Sequence, residues 1–310
     1  MTDPGPVLYP FDGSSLAEEA LPFAARIARG ARAPLVLIQA VESAEARVSA
    51  ERDVEALAGT LWEDGLGVEA HVRLGPPGPV IADAAARWGA SMVVMSTHGR
   101  GGLGRLLHGS VATYAVRHAP VPVMLIPPGC TCRWPADDKR RARILVPLDG
   151  SPFAEAAIHP AVALARALGG DVVFARVVDP STFYRWSGFE PITPGRSGGT
   201  VAEIQEADAR GYLTAIANSA LTPEVNVGTV TRIGDPLAEL TLLAGAYLAD
   251  VIVAATHGRG GLSRLAMGSV AAGLLRRTGL PVLFVHPLAR ARERPEAARS
   301  QPALAGSSAL

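Results

Sequence analysis

The sequence predicts an α/β protein made of two repeated, doubly wound domains, and three features support this. A glycine-rich segment occurs twice, since residues 97–111 and 256–270 agree at 12 of 15 positions. Each half also begins with an apolar run that ends in Asp-Gly-Ser, at residues 12–14 and 149–151. Finally, β-branched runs alternate with alanine-rich runs of helical spacing, a pattern typical of a parallel sheet covered by helices on both faces.

The elements follow the same order in both halves, and the strands are apolar throughout, as in a buried parallel sheet. The strands predicted in the first half are Val7–Pro10, Leu35–Ala40, Val68–Arg73, Met92–Met95 and Val121–Ile126. The helices predicted between them are Leu16–Arg29, Ala46–Trp62 and Val80–Trp88. The strands predicted in the second half are Arg143–Pro147, Asp171–Val177, Val225–Arg232, Asp250–Ala254 and Val282–Val285.

Local composition divides the chain into four parts. We expect a first domain over residues 1–128, a linker over 129–141, a second domain over 142–288 and a disordered tail over 289–310. Asp-Gly-Ser and the glycine-rich segment lie 22 residues further apart in the second half, which indicates an insertion around Ser187–Thr200. Lys139 and the arginines beside it are expected to form a solvated face of the linker.

Composition excludes several functions. The net charge is zero, so there is no basic surplus for binding nucleic acid. The sequence has neither a secretory signal nor an apolar run long enough to span a bilayer, and we expect a cytoplasmic protein without membrane contact. Lys139 is the single lysine among 29 basic residues. A P-loop, a protein kinase site and a pyridoxal-phosphate site, which all need a lysine, are therefore excluded.

The candidate phosphate site follows the fourth strand of each half, where a glycine-rich loop leads into a helix. Ser110 and Ser269 are the predicted N-caps of these helices. Gly109 and Gly268 would let the backbone approach a ligand closely, and amides at a helix N-terminus attract anions. Arginines in the loops would add positive charge, namely Arg100, Arg105, Arg259 and Arg264.

Asp12 and Asp149 form the other side of the candidate site, after the first strand of each half. Ligands of open parallel sheets bind outside the carboxyl ends of the strands, where the winding direction reverses. A first strand beside the fourth would bring each aspartate and glycine loop to that crevice. There the carboxylate would accept hydrogen bonds from the sugar or base of a nucleotide. The alternative is that each aspartate only caps the following helix.

At these residues the chain resembles a tandem universal stress protein, and the resemblance covers nearly all of both halves. The family's ATP-binding pattern is Gly-x2-Gly-x9-Gly-Ser/Thr. Its last three positions are matched by Gly99, Gly109 and Ser110 and again by Gly258, Gly268 and Ser269. Its first glycine is replaced by Ser96 in one half and Ala255 in the other, both small residues.

The resemblance implies a stress-response or regulatory protein with one site per domain for ATP, with or without Mg²⁺. It implies that Asp12 and Asp149 lie near the nucleoside, and that the backbone contacts adenine at Ala40 or Val41 and at Val177 or Val178. The remaining candidate contacts adjoin these positions and are Pro10, Pro147, Gly102, Gly261, Val111 and Val270, besides Arg100 and Arg259. It also implies five strands per domain in the order 3-2-1-4-5, with association through the last strand.

Other functions stay open. The same pocket would also suit a slow ATPase or phosphotransferase, although no catalytic residue or metal ligand is predicted and His98 and His257 are expected to be structural. Residues 99–104 spell a dinucleotide fingerprint, but they follow the fourth strand instead of the first. A nucleotide-free interaction module is the third alternative. We expect the two last strands to pair within the chain as a pseudo-dimer, with a homodimer as the alternative assembly.

Overall fold

The computed structural model of the protein describes residues 4–97, 109–130, 140–180, 201–256 and 267–286. Its strands are β1 (Val7–Pro10), β2 (Leu35–Val41), β3 (Val68–Leu74), β4 (Met92–Ser96), β5 (Val123–Ile126), β6 (Arg143–Pro147), β7 (Asp171–Val178), β8 (Asn226–Ile233), β9 (Val251–Ala255) and β10 (Val282–Val285). Its helices are α1 (Ser15–Ala31), α2 (Ala44–Glu63), α3 (Pro77–Arg87), α4 (Ser110–His118), α5 (Pro152–Glu155), α6 (Ile158–Leu168), α7 (Val201–Ala220), α8 (Pro236–Ala246) and α9 (Ser269–Thr278).

The described strands form one sheet in the order β3-β2-β1-β4-β5-β10-β9-β6-β7-β8. Within each half, neighbouring strands are parallel. Each half therefore has the order 3-2-1-4-5, which confirms the predicted fold class. Helices cover both faces of the sheet. The predicted insertion around residues 187–200 and the predicted tail lie outside the described residues.

The two halves join at the centre of the sheet, where β5 and β10 pair antiparallel with Val282 opposite Leu125. This confirms the expected pairing of the two last strands within the chain. Both strands are completely buried. The predicted start of β5 at Val121 is wrong by two residues, because Pro122 precedes the strand and its carbonyl accepts a hydrogen bond from the Val93 amide at 2.9 Å.

Two apolar cores lie on opposite faces of the sheet. Buried residues of α1 and α6, such as Ala24 and Ala165, belong to the core on one face. Buried residues of α4 and α9, such as Ala115 and Leu274, belong to the core on the other face. Since α1 follows β1 and α4 follows β4, the chain leaves these neighbouring strands toward opposite faces. The winding reverses there, as a doubly wound fold requires.

Helices α1 and α6 meet where the two halves touch. A Cβ atom added to Gly30 would stand 1.8 Å from the carbonyl oxygen of Ala167, so this contact has no room for any side chain. Gly30 and Ala167 are equivalent positions, because both lie 18 residues after the aspartate of their own half. The chain therefore uses different residues on the two sides of one contact.

The end of the linker packs onto the second half. Arg140 contacts the carboxylate of Asp250 at 2.5 Å, and Arg141 contacts that of Asp171 at 2.7 Å. Asp250 is only 3% exposed and also accepts a hydrogen bond from the Arg143 amide. Arg141 is exposed, as expected of a solvated face, whereas Arg140 is only partly exposed because it contacts the buried Asp250. Lys139 lies outside the described residues. Within the described part of the chain, no helix has the length and apolar character needed to cross a bilayer.

Candidate functional site

A crevice opens between β1 and β4 because these strands separate before they end. Their pairing stops at Leu8 opposite Val93, although β1 continues to Pro10 and β4 to Ser96. Over the same stretch β4 stays paired with β5 as far as Ser96. The gap thus opens at the carboxyl end of β1, where the winding direction reverses and where open α/β sheets bind ligands.

The second half repeats this geometry. The pairing of β6 with β9 stops at Leu145 opposite Ile252, although the strands continue to Pro147 and Ala255. Four predicted contacts, namely Pro10, Ser96, Pro147 and Ala255, are therefore strand-terminal residues at the two crevices. The expected neighbourhood of the first and fourth strands of each half is confirmed.

Asp12 begins the turn that connects β1 to α1. Its Oδ1 accepts hydrogen bonds from the Ser14 amide at 3.0 Å and from the Ser14 hydroxyl at 2.6 Å. The Ser14 hydroxyl oxygen in turn accepts from the Ala17 amide, so Ser14 is the N-cap of α1. The alternative that Asp12 caps the helix is therefore wrong: Asp12 orients the residue that does.

Asp149 makes the same turn before α5. Its Oδ1 accepts from the Ser151 amide at 2.9 Å and from the Ser151 hydroxyl at 2.6 Å, and Ser151 is the N-cap. Between the aspartate and the serine, Gly13 and Gly150 adopt φ angles of 74° and 82°, which residues with a side chain rarely adopt. The Asp-Gly-Ser pattern is thus explained as a tight turn that fixes a half-buried carboxylate at the crevice.

Helices α4 and α9 begin across the crevice from these turns. Their N-caps are Gly109 and Gly268, so the predicted caps Ser110 and Ser269 are wrong by one residue and are instead the first helical residues, followed by Val111 and Val270. Glycine has no side chain, and neither cap makes a side-chain hydrogen bond to the first turn. The first-turn amides are therefore not covered by a cap side chain, as an anion site requires.

The cap glycines also have a packing role. The Gly109 amide donates to the Thr97 carbonyl oxygen at 2.8 Å, and a Cβ on Gly268 would stand 2.9 Å from the Thr256 carbonyl oxygen. Glycine at Gly268 thus lets the helix start lie against the end of β9. The other predicted loop contacts lie outside the described residues, as do the two loop histidines: Gly99, Arg100, Gly102, Gly258, Arg259 and Gly261, with His98 and His257.

The backbone at the end of β2 separates the two candidates for the adenine contact. The Val41 carbonyl oxygen already accepts from the Gly75 amide at 2.9 Å, on the side of β3. The last bond from β1 runs from the Phe11 amide to the Ile38 carbonyl oxygen. Because backbone groups alternate along a strand, those of Ala40 point in the same direction as those of Ile38, past the end of β1.

In the second half the Val178 carbonyl oxygen accepts from the Gly234 amide, and the Leu148 amide donates to Ala175. Val177 therefore corresponds to Ala40. Of the alternatives left open by the sequence, the geometry favours Ala40 and Val177 over Val41 and Val178.

Sequence reasoning missed a polar cluster beside Asp149. The Arg176 guanidinium lies over the ring of Tyr212, with its Cζ 4.8 Å from the ring centroid. The Tyr212 hydroxyl donates to Glu155 at 3.0 Å. Burial, the bond to Glu155 and the negative charges of Glu155 and Asp149 raise the pKa of Tyr212 despite the opposing effect of Arg176. The phenol therefore stays neutral and acts as a hydrogen-bond donor.

The comparisons with known proteins agree on one family. Its model, described as the Universal stress protein family, matches residues 5–127 and 141–286. A universal stress protein of Mycobacterium tuberculosis is 30% identical over 219 residues, which cover 70% of this chain and 68% of the relative. Another, of Mycolicibacterium smegmatis, is 27% identical over 305 residues and covers 91% of this chain and 97% of the relative.

Solved structures share the tandem architecture. A universal stress protein from Archaeoglobus fulgidus aligns with a TM-score of 0.63 at 18% identity, covering 91% of this chain and 96% of that one. A protein from Pseudomonas aeruginosa described as functionally unknown has a TM-score of 0.64 at 18% identity, covering 91% of this chain and 92% of that chain. At this identity the likeness concerns the fold.

Proposed function

The chain belongs to the universal stress protein family, and from this premise we propose that it binds ATP at the carboxyl-end crevice of each half. One observation carries the proposal. Twice in the chain, an aspartate held in a tight turn lies on one side of a crevice, and a helix start without a side-chain cap lies on the other.

The two sides suit the two ends of a nucleotide. Asp12 and Asp149 would accept hydrogen bonds from the ribose hydroxyls, and the backbone of Ala40 or Val177 would pair with the edge of the adenine. The first-turn amides of α4 and α9 would bind phosphate oxygens through hydrogen bonds and the helix dipole. This assignment needs no lysine, which agrees with a chain that contains only one.

The direct test is nucleotide release and titration. Purified protein is heated and the supernatant analysed for adenine nucleotide, and emptied protein is then titrated with ATP, with and without Mg²⁺. The informative variant combines Asp12→Asn with Asp149→Asn. Asparagine keeps an Oδ1 acceptor for the serine amide and hydroxyl, so the turn persists while the charge is lost.

We expect the double variant to bind ATP at least about tenfold more weakly, because it loses charge-assisted hydrogen bonds to the ribose. The matched control is Asp83→Asn, which changes an exposed aspartate on α3 and should bind like the unaltered protein. An unaltered protein that neither releases nor binds nucleotide would contradict the proposal.

We propose binding and not turnover. Among the described residues there is no group of three or more His, Cys, Asp or Glu side chains able to hold a metal ion. The same samples are assayed for phosphate release. Steady release that disappears in the double variant would shift the proposal to slow ATP hydrolysis in the same crevice.

A further inference from the structure

We propose that the two crevices are unequal, with the stronger nucleotide site in the first half, and that Arg176 is the residue that weakens the second. This inference rests on the proposed function, because it concerns the ribose end of the same sites. It arises from positions that are equivalent in the repeat but carry different chemistry.

Arg176 is held between a ring and a turn. Its guanidinium lies over Tyr212 on one side, and on the other side a Cβ built on Gly150 would stand 3.1 Å from Cζ, Nη1 and Nη2 alike. A point equally distant from these three atoms lies above the guanidinium plane and not beside its edge. The cation therefore lies flat against the backbone of Gly150, the residue that follows Asp149.

The Tyr212 ring under the guanidinium is itself held in place. Tyr212 donates its hydroxyl to Glu155 on α5, and the guanidinium above its ring gains a cation–π attraction. Three helix and strand elements, β7, α5 and α7, thus hold a positive charge beside the turn of Asp149. Asp149 directly precedes Gly150, so its carboxylate belongs to the turn against which the guanidinium lies.

The first half has a neutral residue at the position of Arg176. Pro10, the last residue of β1, pairs with Ile38 of β2, and Pro147, the last residue of β6, pairs with Ala175 of β7. The residues that follow Ile38 and Ala175, namely Gln39 and Arg176, are therefore equivalent. Gln39 is only 4% exposed, and within the described residues its Oε1 accepts no hydrogen bond.

The aromatic support of the cation is also absent from the first half. Buried residues recur at one spacing in α2 (Ala50, Val54) and α7 (Ala209, Leu213), and this spacing aligns Asp53 with Tyr212. Asp53 is exposed. At these two equivalent positions of the first half, the described residues therefore provide neither a cation nor an aromatic ring.

The difference acts on the aspartate that would bind ribose. A guanidinium is a stronger partner for a carboxylate than a neutral hydroxyl is. A ribose at the second crevice must compete with this cation, whereas the equivalent residue of the first half, Gln39, is neutral. The first crevice should consequently bind the nucleoside end of ATP more tightly.

The experiment titrates the intact, nucleotide-free chain with ATP by calorimetry. The expected isotherm has two sites whose Kd values differ by at least about tenfold. Asp12→Asn should remove the tight site, and Asp149→Asn should remove the weak one. Arg176→Gln, which copies the first half, should bring the weak Kd to within about threefold of the tight one.

Two further variants complete the design. Gln39→Arg should weaken the tight site, and Arg166→Gln, which changes a half-exposed arginine on α6 paired with Glu224, should leave both sites unchanged. Thermal unfolding of every variant verifies folding, and Arg176→Gln decides the question if Gln39→Arg does not fold. Two equal sites in the unaltered chain, or a weak site that Arg176→Gln does not strengthen, would overturn this inference but not the proposed function. Complete absence of binding would overturn the proposed function with it.

Discussion

The two halves have the same strand order and the same Asp-Gly-Ser turns, yet they differ at several polar positions near the ends of the sheet. Gln39 stands where the second half has Arg176, and Ser91 stands where it has Asp250. The apolar residues of the strands between the two edge strands are, by contrast, mostly buried in both halves. Burial of the apolar strands thus maintains the fold in both halves, while some polar positions near the strand ends carry different chemistry.

The largest effect should come from the contact at which the halves meet. Gly30→Ala would put a Cβ atom 1.8 Å from the Ala167 carbonyl oxygen, so α1 and α6 must move apart. We expect a loss of about 3 kcal/mol in the free energy of unfolding, as for severe overpacking. Denaturant unfolding measures it. A midpoint equal to that of the unaltered protein would show that the two helices are not in this contact.

The control for that substitution lies on α2. Gly59 is exposed, and a Cβ atom there would meet nothing within 4 Å. Gly59→Ala should therefore stabilise the protein by roughly 0.5–1 kcal/mol, because alanine restricts the unfolded chain more than glycine does.

The next effect contrasts Asp250 with Ser91. Asp250→Ala removes the partner of Arg140 and leaves the Arg143 amide without its acceptor, so we expect a loss of about 2 kcal/mol. Ser91→Ala removes one exposed bond to the Pro6 carbonyl, worth at most about 1 kcal/mol. Equal losses in thermal unfolding would mean that the buried carboxylate adds nothing to the second half.

A smaller effect concerns the cluster beside Asp149. Tyr212→Phe keeps the ring beneath Arg176 but removes the hydrogen bond to Glu155, which should cost about 1 kcal/mol. Folding raises the pKa of Tyr212. The contribution of Tyr212 to the stability of the fold is therefore fully present below its unfolded-state pKa of about 10 and is lost at higher pH. Stability of the variant should therefore fall less steeply in alkaline unfolding. An unchanged alkaline slope would contradict this assignment.

The smallest effect tests the linker contact at Asp171, whose equivalent in the first half is Pro34. Burial alone would raise the pKa of Asp171, but hydrogen bonds from Arg141 and Asn226 and the charges of Arg141 and Arg143 lower it overall. A carboxyl group whose pKa is lower in the folded state stabilises the fold at pH values above its unfolded-state pKa. This stabilisation is lost as the pH falls through the folded-state pKa. Asp171→Asn should cost less than about 1 kcal/mol at pH 7 and nothing well below pH 4. If Asp171→Asn still lowers the stability well below pH 4, the effect comes from packing of the side chain and not from its charge.

Much of the fold could be predicted from the sequence because the strand pattern is repeated. Two copies of the same apolar runs predicted the strands and the fold class, and the resemblance to a known family implied the order of the strands in the sheet. The short, apolar, proline-flanked last strands indicated their pairing. The N-caps were predicted one residue late. Serine is the better cap in an isolated helix, but here Gly109 lies against Thr97, and Gly268 has the same close approach to Thr256. A tertiary contact thus overrode the local preference.

The candidate site was predictable only in part. Asp12 and Asp149 carry a sequence signal, because Asp-Gly-Ser is repeated after a strand. The cluster of Arg176, Tyr212 and Glu155 forms no local sequence motif, since the tyrosine and the glutamate are 57 residues apart and meet only through folding. Aligning the two halves would have shown that Arg176 replaces Gln39, and this mismatch was the available signal.

The antiparallel junction of β5 and β10 sets the directions in which the crevices open. Every strand of the first half runs against every strand of the second, so the carboxyl ends of the two sets emerge at opposite rims of the sheet. A rigid partner docked over one opening leaves the other in contact with solvent. The two crevices therefore face solvent independently, and a molecule that covers one does not block access to the other.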